Sequence, residues 1–192
     1  MRVQLYRVDW STPSGELTAV EPRDDEVLAH APALAVAYNH PRNAPLMGHT
    51  TELTEADVVA HYRELAAQRG ARNFLLFRDG ALAGDADLRG IDGRGLAEFA
   101  FMIADPAAQG RGLGTRFAAM IHAFGFHTLD LRRIWASVLP ANTASRRVFE
   151  KLGYRARPDL PEAHDFVEDG DLALALDRGD LAADPGIRIA PR

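Results

Sequence analysis

The stretch that decides the fold lies near the middle of the chain and reads Gln109-Gly110-Arg111-Gly112-Leu113-Gly114. It follows a strand-like run that ends at Ile103 and precedes a run with helical spacing of apolar residues that begins near Leu113. Its closely spaced glycines let the backbone approach a ligand without a Cβ in the way. A helix that starts there directs its unpaired N–H groups and the positive end of its dipole at an anion. Residues 109–114, called the cradle below, therefore predict a phosphate-binding site.

Two common glycine-rich phosphate sites do not match the cradle. A Walker-type loop needs a lysine followed by a hydroxyl residue, and the cradle has neither. A dinucleotide fold needs an acidic residue at the end of the next strand, about 20 residues on. Asp130 has that spacing but precedes the next predicted strand, Arg133 to Val138. The sequence thus argues against a nucleoside triphosphatase and a dinucleotide-binding protein.

The composition is that of an ordinary globular protein. The 192 residues, 47% hydrophobic and 26% charged, are enough for one domain with a sizeable core. No apolar run approaches the length of a membrane span, and the N-terminus lacks the apolar segment of a secretory signal. We therefore expect a single domain and a cytoplasmic location.

The charged and sulfur-containing residues restrict the chemistry. A formal net charge of −5 argues against broad contact with nucleic acid or an anionic membrane and suits a cationic or amine substrate. Zero cysteines exclude disulfides, thiolate metal sites and a cysteine acyl-enzyme. The seven histidines show no metal-ligand spacing, so we expect no metal.

The order of predicted elements is a strand, two helices, an antiparallel meander, and then helix, strand, helix and strand. Thr54 and Asp57 form a predicted capping box at the start of the second helix, and Asn142 is a natural N-cap for the last one. Gly153 is a natural left-handed cap at its end. We predict helices over 24–38, 54–70, 113–124 and 142–153, loops over 39–50 and 158–170, and strands over 3–8, 74–77, 82–88, 96–103, 133–138 and 172–176.

The third strand of the meander carries an isolated carboxylate. By the period of two, Glu98, Ala100 and Met102 share one face, and Phe99, Phe101 and Ile103 share the other. Glu98 is therefore predicted to lie on a largely apolar strand.

Three linked motifs resemble the GNAT superfamily of acyl-CoA-dependent N-acetyltransferases. They are Ala97-Glu98-Phe99-Ala100-Phe101-Met102-Ile103-Ala104-Asp105-Pro106, the cradle, and Asn142-Thr143-Ala144-Ser145 through Phe149-Glu150-Lys151-Leu152-Gly153-Tyr154. The similarity is strongest over 97–154 and is closest to the branch containing ribosomal-protein N-terminal acetyltransferases. It implies an α/β fold with a mixed, mostly antiparallel central sheet flanked by helices, in which the fourth and fifth strands splay apart. It also implies a single acyl-CoA N-acyltransferase domain over 1–178, which leaves 179–192 as a predicted flexible tail.

The resemblance also implies a donor site for acetyl-CoA, which the enzyme uses as a co-substrate. In this family the pantetheine arm lies in the gap between the splayed strands, and the cradle amides hold the pyrophosphate. Asn142 serves either as an N-cap or as a cofactor contact, or as both, while Ser145 and Arg146 are either contacts or solvated helix positions. The predicted cofactor residues are Met102, Ile103, Ala104, Gln109, Gly110, Arg111, Gly112, Leu113, Gly114, Thr115, Asn142, Ser145 and Arg146.

For catalysis the resemblance points to Glu98 as the general base, and the alternative is a carboxylate paired with an arginine. Many relatives carry a tyrosine in the last helix that protonates the leaving thiolate, but this chain has Phe149 there. Tyr154 is one candidate replacement, while Tyr38 and Tyr62 on the early helices are others, and the thiolate could also leave to solvent.

The expected function is transfer of an acetyl group from acetyl-CoA to a primary amine by direct attack in a ternary complex. The acceptor, a small molecule or a protein N-terminus, is left open, as is a homodimer. The alternatives are a non-catalytic acyl-CoA-binding module and an acyltransferase that uses a longer acyl-CoA.

Overall fold

The fold is a single mixed sheet with helices on both faces. A computed structural model describes residues 4–47, 51–105, 108–157, 170–182 and 184–192. The helices are α1 Asp24–Asn39, α2 Glu55–Ala67, α3 Leu113–His127 and α4 Thr143–Leu152. The strands are β1 Tyr6–Thr12, β2 Gly15–Val20, β3 Arg72–Arg78, β4 Ala81–Arg89, β5 Leu96–Ile103, β6 Arg133–Val138, β7 Arg155–Ala156, β8 Leu172–Asp177 and β9 Ile187–Pro191.

The strand order is β7-β8-β6-β5-β4-β3-β2-β1-β9, and among the described strands only β5 and β6 pair in parallel. These two strands pair through Leu96–Arg133, Ala97–Ile134 and Glu98–Trp135, and no pairing follows although both strands continue. Since the β1–β2 hairpin adds one strand to the predicted count, β5 and β6 are the expected fourth and fifth strands. The predicted mixed, mostly antiparallel sheet with a splayed central pair is confirmed.

Side-chain caps set the ends of two helices as the sequence predicts. Thr54 Oγ1 accepts from the Asp57 N–H at 3.2 Å, and the Asp57 carboxylate accepts from the Thr54 N–H at 2.8 Å. At α4, Asn142 Oδ1 accepts from the Ser145 N–H at 3.0 Å. Gly153 ends that helix in the left-handed conformation with φ of 94°. Both predicted N-caps are confirmed.

The two largest apolar clusters of the described residues lie on opposite faces of the sheet. Phe99 and Ile103 belong to the cluster under α3, and Phe101 packs against it. Met102 belongs to the cluster under α1 and α2, together with Tyr38 and Tyr62. The predicted alternation along β5 is therefore confirmed, and it places Glu98 on the α1–α2 face of the sheet.

Two segments differ from the sequence prediction. Strand β2 was not predicted. The turn before it contains a local bond from the Ser14 N–H to Thr12 Oγ1 at 3.1 Å, which periodicity does not reveal. The predicted loop 158–170 lies outside the described residues apart from Gly170, and the first strand, predicted from Val3, is described from Tyr6.

The predicted flexible tail over 179–192 is wrong for its last residues. Strand β9 pairs with β1 in antiparallel register from Tyr6–Pro191 to Trp10–Ile187. The Arg192 guanidinium donates to the Glu21 carbonyl at 2.9 Å and to Glu26 Oε1 at 2.6 Å. The partners of this five-residue strand lie at the edge of the folded sheet. Its own sequence therefore does not indicate that it packs there. Residue 178 is therefore not the end of the folded sheet.

Strands β4 and β5 approach unusually closely at Gly84. Gly84 has φ of 154° and pairs with Ile103, and an added Cβ would overlap the carbonyl oxygen of Met102. The neighbouring Ala104 N–H donates to the Ala83 carbonyl at 2.8 Å, which fixes the end of β5 against β4. A side chain at position 84 would thus displace the end of β5.

We expect Gly84→Ala to lower the free energy of unfolding by about 2 kcal/mol or more, because both its φ and its contact exclude a Cβ. Urea denaturation would measure the change. Gly93→Ala is the matched control, since a Cβ at Gly93 meets nothing within 4 Å. Equal stability of the two variants would contradict the close approach.

Candidate functional site

A cavity of about 230 Å³ opens where β5 and β6 separate. Four segments meet around it: the end of β5, the cradle, the first turns of α4, and the connection from α1 to α2. The lining residues are Asn43, Leu46, Met47, Phe101, Met102, Ile103, Gln109, Gly110, Gly112, Gly114, Thr115, Asn142, Ala144, Ser145, Arg147, Val148 and Lys151.

Most of the predicted donor-site residues line this cavity, and four do not. Ala104 holds the end of β5 through its bond to Ala83, and Leu113 is buried in the core. Arg111 is exposed, and Arg146 is exposed with its guanidinium donating to the Pro140 carbonyl at 3.2 Å. The structure thus brings together Met102, Ile103, Gln109, Gly110, Gly112, Gly114, Thr115, Asn142 and Ser145.

The cradle presents an uncapped helix end to the cavity. Gly110 and Gly112 have φ of 77° and 78°, the left-handed conformation that glycine adopts without strain. Gly112 is the N-cap of α3 and supplies no side-chain bond, whereas Thr54 and Asn142 cap their own helices. The first-turn N–H groups of α3 therefore lack a side-chain acceptor, which suits an anionic ligand.

The cradle also packs closely on the rest of the site. A Cβ at Gly114 would lie 3.1 Å from Phe101 Cε2 and 3.4 Å from Val148 Cγ2. Gly114 therefore brings α3 against both β5 and α4. A larger side chain there would push the cradle away from the strand edge.

Sequence reasoning missed two groups of lining residues. Arg147 and Lys151 lie one turn apart on α4, on the same face as Ala144 and Val148, and they add positive charge to the cavity wall. Their four-residue spacing after the N-cap is a signal that could have found them. Asn43, Leu46 and Met47 come from the predicted loop between α1 and α2, and nothing in their local sequence marks them.

A charged cluster lies on the α1–α2 face of the sheet, at the point of splay. Arg89 is directly opposite Glu98 in the β4–β5 register, and its Nε lies 3.7 Å from Glu98 Oε2 and 2.8 Å from Asp87 Oδ1. Arg89 Nε and Asp87 Oδ1 are both buried, but their contact does not have hydrogen-bond geometry. Arg89 thus lies closer to Asp87, and the Glu98 side chain remains 20% exposed.

Burial changes the acidity of these carboxyl groups. It raises the pKa of Glu98, opposed by the charge of Arg89. It raises the pKa of Asp87 to about 7, opposed by Arg89 and reinforced by the charges of Asp85 and Glu98. Groups that exchange protons near neutral pH are common at catalytic sites, although structural networks show the same effect.

Asp85 connects both early helices to the sheet. The Tyr38 hydroxyl of α1 and the Tyr62 hydroxyl of α2 donate to Asp85 Oδ2, the latter at 2.9 Å. Burial raises the pKa of Asp85 to about 6, opposed by these two hydrogen bonds. Burial and the Asp85 charge raise the pKa of both tyrosines well above its ordinary value, so neither hydroxyl is a ready acid.

The remaining candidate for a general acid, Tyr154, and the Phe149 that takes the place of the usual tyrosine do not line the cavity. Phe149 is buried, with its ring centroid 4.8 Å from that of Tyr154. His122 Nδ1 lies 2.6 Å from the Ala118 carbonyl. Because a carbonyl oxygen only accepts, Nδ1 is the donor, and Nε2 accepts from the Tyr154 hydroxyl at 2.6 Å. Burial lowers the pKa of His122 to about 4 and raises that of Tyr154. Tyr154 is thus part of the core.

Two absences concern the described residues alone. They include no group of three or more His, Asp or Glu side chains arranged to hold a metal ion. Within the same residues, no helix combines the length and apolarity needed to cross a membrane.

We expect Asp87→Asn to become more stabilising, relative to the wild type, as the pH rises from 4 to 8. A carboxyl whose folded pKa is raised binds more protons folded than unfolded between about 4 and 7, so its contribution to stability is lost across that window. Thermal unfolding at several pH values would measure the difference, at roughly 2–4 °C per kcal/mol. Asp25→Asn, at an exposed position, is the control. A stability difference between Asp87→Asn and the wild type that does not change with pH would contradict the raised pKa of Asp87.

The chain is similar in sequence to known N-acetyltransferases. The chain is 34% identical over 100 residues to the probable N-acetyltransferase YjcK of Bacillus subtilis, covering 50% of this chain and 55% of that protein. It is 32% identical over 106 residues to spermidine N(1)-acetyltransferase of Escherichia coli K12, covering 55% of each. The chain thus spans about half the length of the curated relatives it matches.

The fold is shared with Mycobacterium smegmatis RimJ in complex with CoA-disulfide, with a TM-score of 0.75 and 22% identity, covering 93% of this chain and 90% of that one. Residues 17–155 match the family described as the acetyltransferase (GNAT) domain. This chain belongs to the GNAT acetyltransferase family.

Proposed function

We propose that this protein is an N-acetyltransferase that moves an acetyl group from acetyl-CoA to a primary amine by direct attack in a ternary complex. The observation that carries the proposal is the cavity where the strand gap, the uncapped end of α3 and the start of α4 meet. A relative whose name specifies acetyl transfer to spermidine and a neighbour solved with CoA-disulfide support it.

The donor would lie along the open edge of β5. Beyond Glu98, β5 has no pairing with β6, so backbone groups on that edge are available to an extended ligand. The pantetheine arm would bind beside Met102, Ile103 and Ala104, and the cradle amides would hold the pyrophosphate. Arg147 and Lys151 would add attraction for the phosphates from the opposite wall.

The chemistry requires a neutral amine, a stabilised oxyanion and a leaving thiolate. Acetyl-CoA supplies the thioester carbonyl that the amine attacks. Glu98 would accept the amine proton, directly or through water, since its side chain is partly exposed and burial raises its pKa. A backbone N–H in the Met102–Ile103 region would stabilise the oxyanion.

The thiolate would leave without a side-chain acid. Phe149 has no ionisable group, and the Tyr154 hydroxyl donates to His122. A free thiol has a pKa only about 1.5 units above neutral, so protonation by solvent is sufficient.

The acceptor is a primary amine whose identity stays a prediction. The net charge of −5 favours a cationic acceptor, and the partly exposed Glu98 adds a carboxyl group on the α1–α2 face. A small molecule and a protein N-terminus both satisfy this requirement. The cytoplasmic location, the single domain and a homodimer also stay predictions.

We expect acetyl-CoA at about 100 times its dissociation constant to raise the free energy of unfolding by roughly 2.7 kcal/mol. A thermal-shift assay measures this, and Gly114→Val should abolish the shift because its side chain would collide with Phe101 and Val148. Gly93→Val, at an open position, is the control that should keep the shift. A retained shift in folded Gly114→Val would contradict the donor site, and competition with longer acyl-CoAs would test the acyl length.

We expect Glu98→Gln to reduce turnover tenfold or more while leaving affinity for acetyl-CoA unchanged. Release of free thiol during turnover with a panel of amines, spermidine included, provides the assay. Glu150→Gln, an exposed change on α4, should retain full turnover. Unchanged turnover in Glu98→Gln would exclude Glu98 as the base, and absence of thiol release from the wild type with every amine would favour a binding module.

A further inference from the structure

The connection between α1 and α2 is joined to the cradle through a buried side chain, Asn43. Asn43 is 3% exposed, and its Nδ2 donates to the Ala37 carbonyl in the last turn of α1 at 2.9 Å. Its Oδ1 accepts from Gln109 Nε2 in the cradle at 3.1 Å. The same Nδ2 lies 3.8 Å from Met102 Sδ. One side-chain amide thus contacts α1, β5 and the cradle.

Two further sets of contacts in the described part of the connection do not involve the cradle. The Asn39 side chain pairs with the backbone of Leu53, donating to its carbonyl at 2.7 Å and accepting from its N–H at 2.8 Å. This closes the base of the connection. Within it, the N–H groups of Leu46 and Met47 donate to the Asn43 carbonyl at 2.9 and 3.1 Å. The backbone around Asn43 is therefore ordered, and a shift of Asn43 would be passed to these neighbours.

The Asn43–Gln109 bond spans two walls of the same cavity. Gln109 Nε2 also lies 3.5 Å from the Ile103 carbonyl at the end of β5, so its side chain bridges the strand and the connection. Loss of this bond would remove the donor to the buried Asn43 Oδ1, which costs free energy. A ligand that fixes the cradle backbone would therefore also favour the position of Asn43 seen here.

The contact extends to the charged face of the sheet. Ala37, which Asn43 holds, precedes Tyr38, whose hydroxyl donates to the buried Asp85. The route from the cradle is therefore Gln109, Asn43, the last turn of α1, and Asp85. Each step is a hydrogen bond or a peptide bond between buried or partly buried groups.

From this route, and resting on the proposed function, we propose that Asn43 is a positioning residue. It couples binding of the acyl donor at the cradle to the arrangement of α1 and α2, on whose side of the sheet the acceptor would bind. Donor binding would hold residues 40–47 and the end of α1 in the arrangement seen here, so the acceptor would bind more tightly to the donor complex than to the free enzyme. Thermodynamic linkage requires the reverse effect to be equal.

Hydrogen exchange of the whole protein, with and without CoA, tests this coupling. In the wild type, CoA should slow exchange at least threefold in peptides from the cradle and in peptides covering 40–47. In Asn43→Ala, CoA should still slow exchange in the cradle but leave 40–47 unchanged. Gln109→Ala, which removes the cradle side of the contact together with the contact to the Ile103 carbonyl, should behave the same way.

Asn39→Ala is the matched control, because it opens the base of the same connection without touching the cradle. Its 40–47 peptides should exchange faster overall and keep the CoA-dependent ratio of the wild type. Persistence of that ratio in Asn43→Ala would overturn the inference alone. Absence of CoA protection at the wild-type cradle would overturn the donor site and, with it, this coupling.

A kinetic measurement separates positioning from general loss of structure. With the amine of highest turnover in the panel, Asn43→Ala should raise the acceptor KM at saturating acetyl-CoA by at least fivefold more than Asn39→Ala does. An equal change in KM for both variants would contradict a specific role for Asn43.

Discussion

The end of backbone pairing between β5 and β6 after Glu98 is the constraint on which the site depends. Each strand continues to pair with its other neighbour, β5 with β4 as far as Ile103 and β6 with β8 as far as Val138. The two strands therefore diverge without losing their places in the sheet. The gap leaves hydrogen-bonding groups on β5 exposed to a ligand, and the N-terminus of α3 lies at its mouth. A strand edge and a helix end are thus brought to one cavity.

Two glycines keep that geometry possible. Gly84 lets β4 approach the end of β5 within the sheet, and Gly114 lets α3 approach the same end from the α3 face. Side chains at these positions would collide with Met102 and Phe101, respectively. The end of β5 is therefore fixed by one contact from the neighbouring strand and one from the α3 face of the sheet.

The carboxylates of the α1–α2 face carry a cost that apolar residues would avoid. Burial raises the pKa of Asp85, Asp87 and Glu98, which means that the fold opposes their ionisation. Asp85 is compensated by two tyrosine hydroxyls, and Asp87 by the nearby Arg89. Among the described residues, Glu98 has the more distant arginine contact and is partly exposed, which suits its proposed role of taking up and releasing a proton.

The sequence by itself determined the elements whose signals are local. The period of two placed Glu98 and Met102 on one face, the caps at Thr54 and Asn142 set helix starts, and the cradle followed from its glycines. It did not reveal β9, the Tyr38–Asp85–Tyr62 cluster or the Asn43–Gln109 bond. Those contacts join residues 23 to 66 positions apart, or a terminal strand to the first one, and no periodicity records such pairs. Only the tertiary structure decided them, because hydrogen-bond partners of buried polar groups depend on which elements pack together.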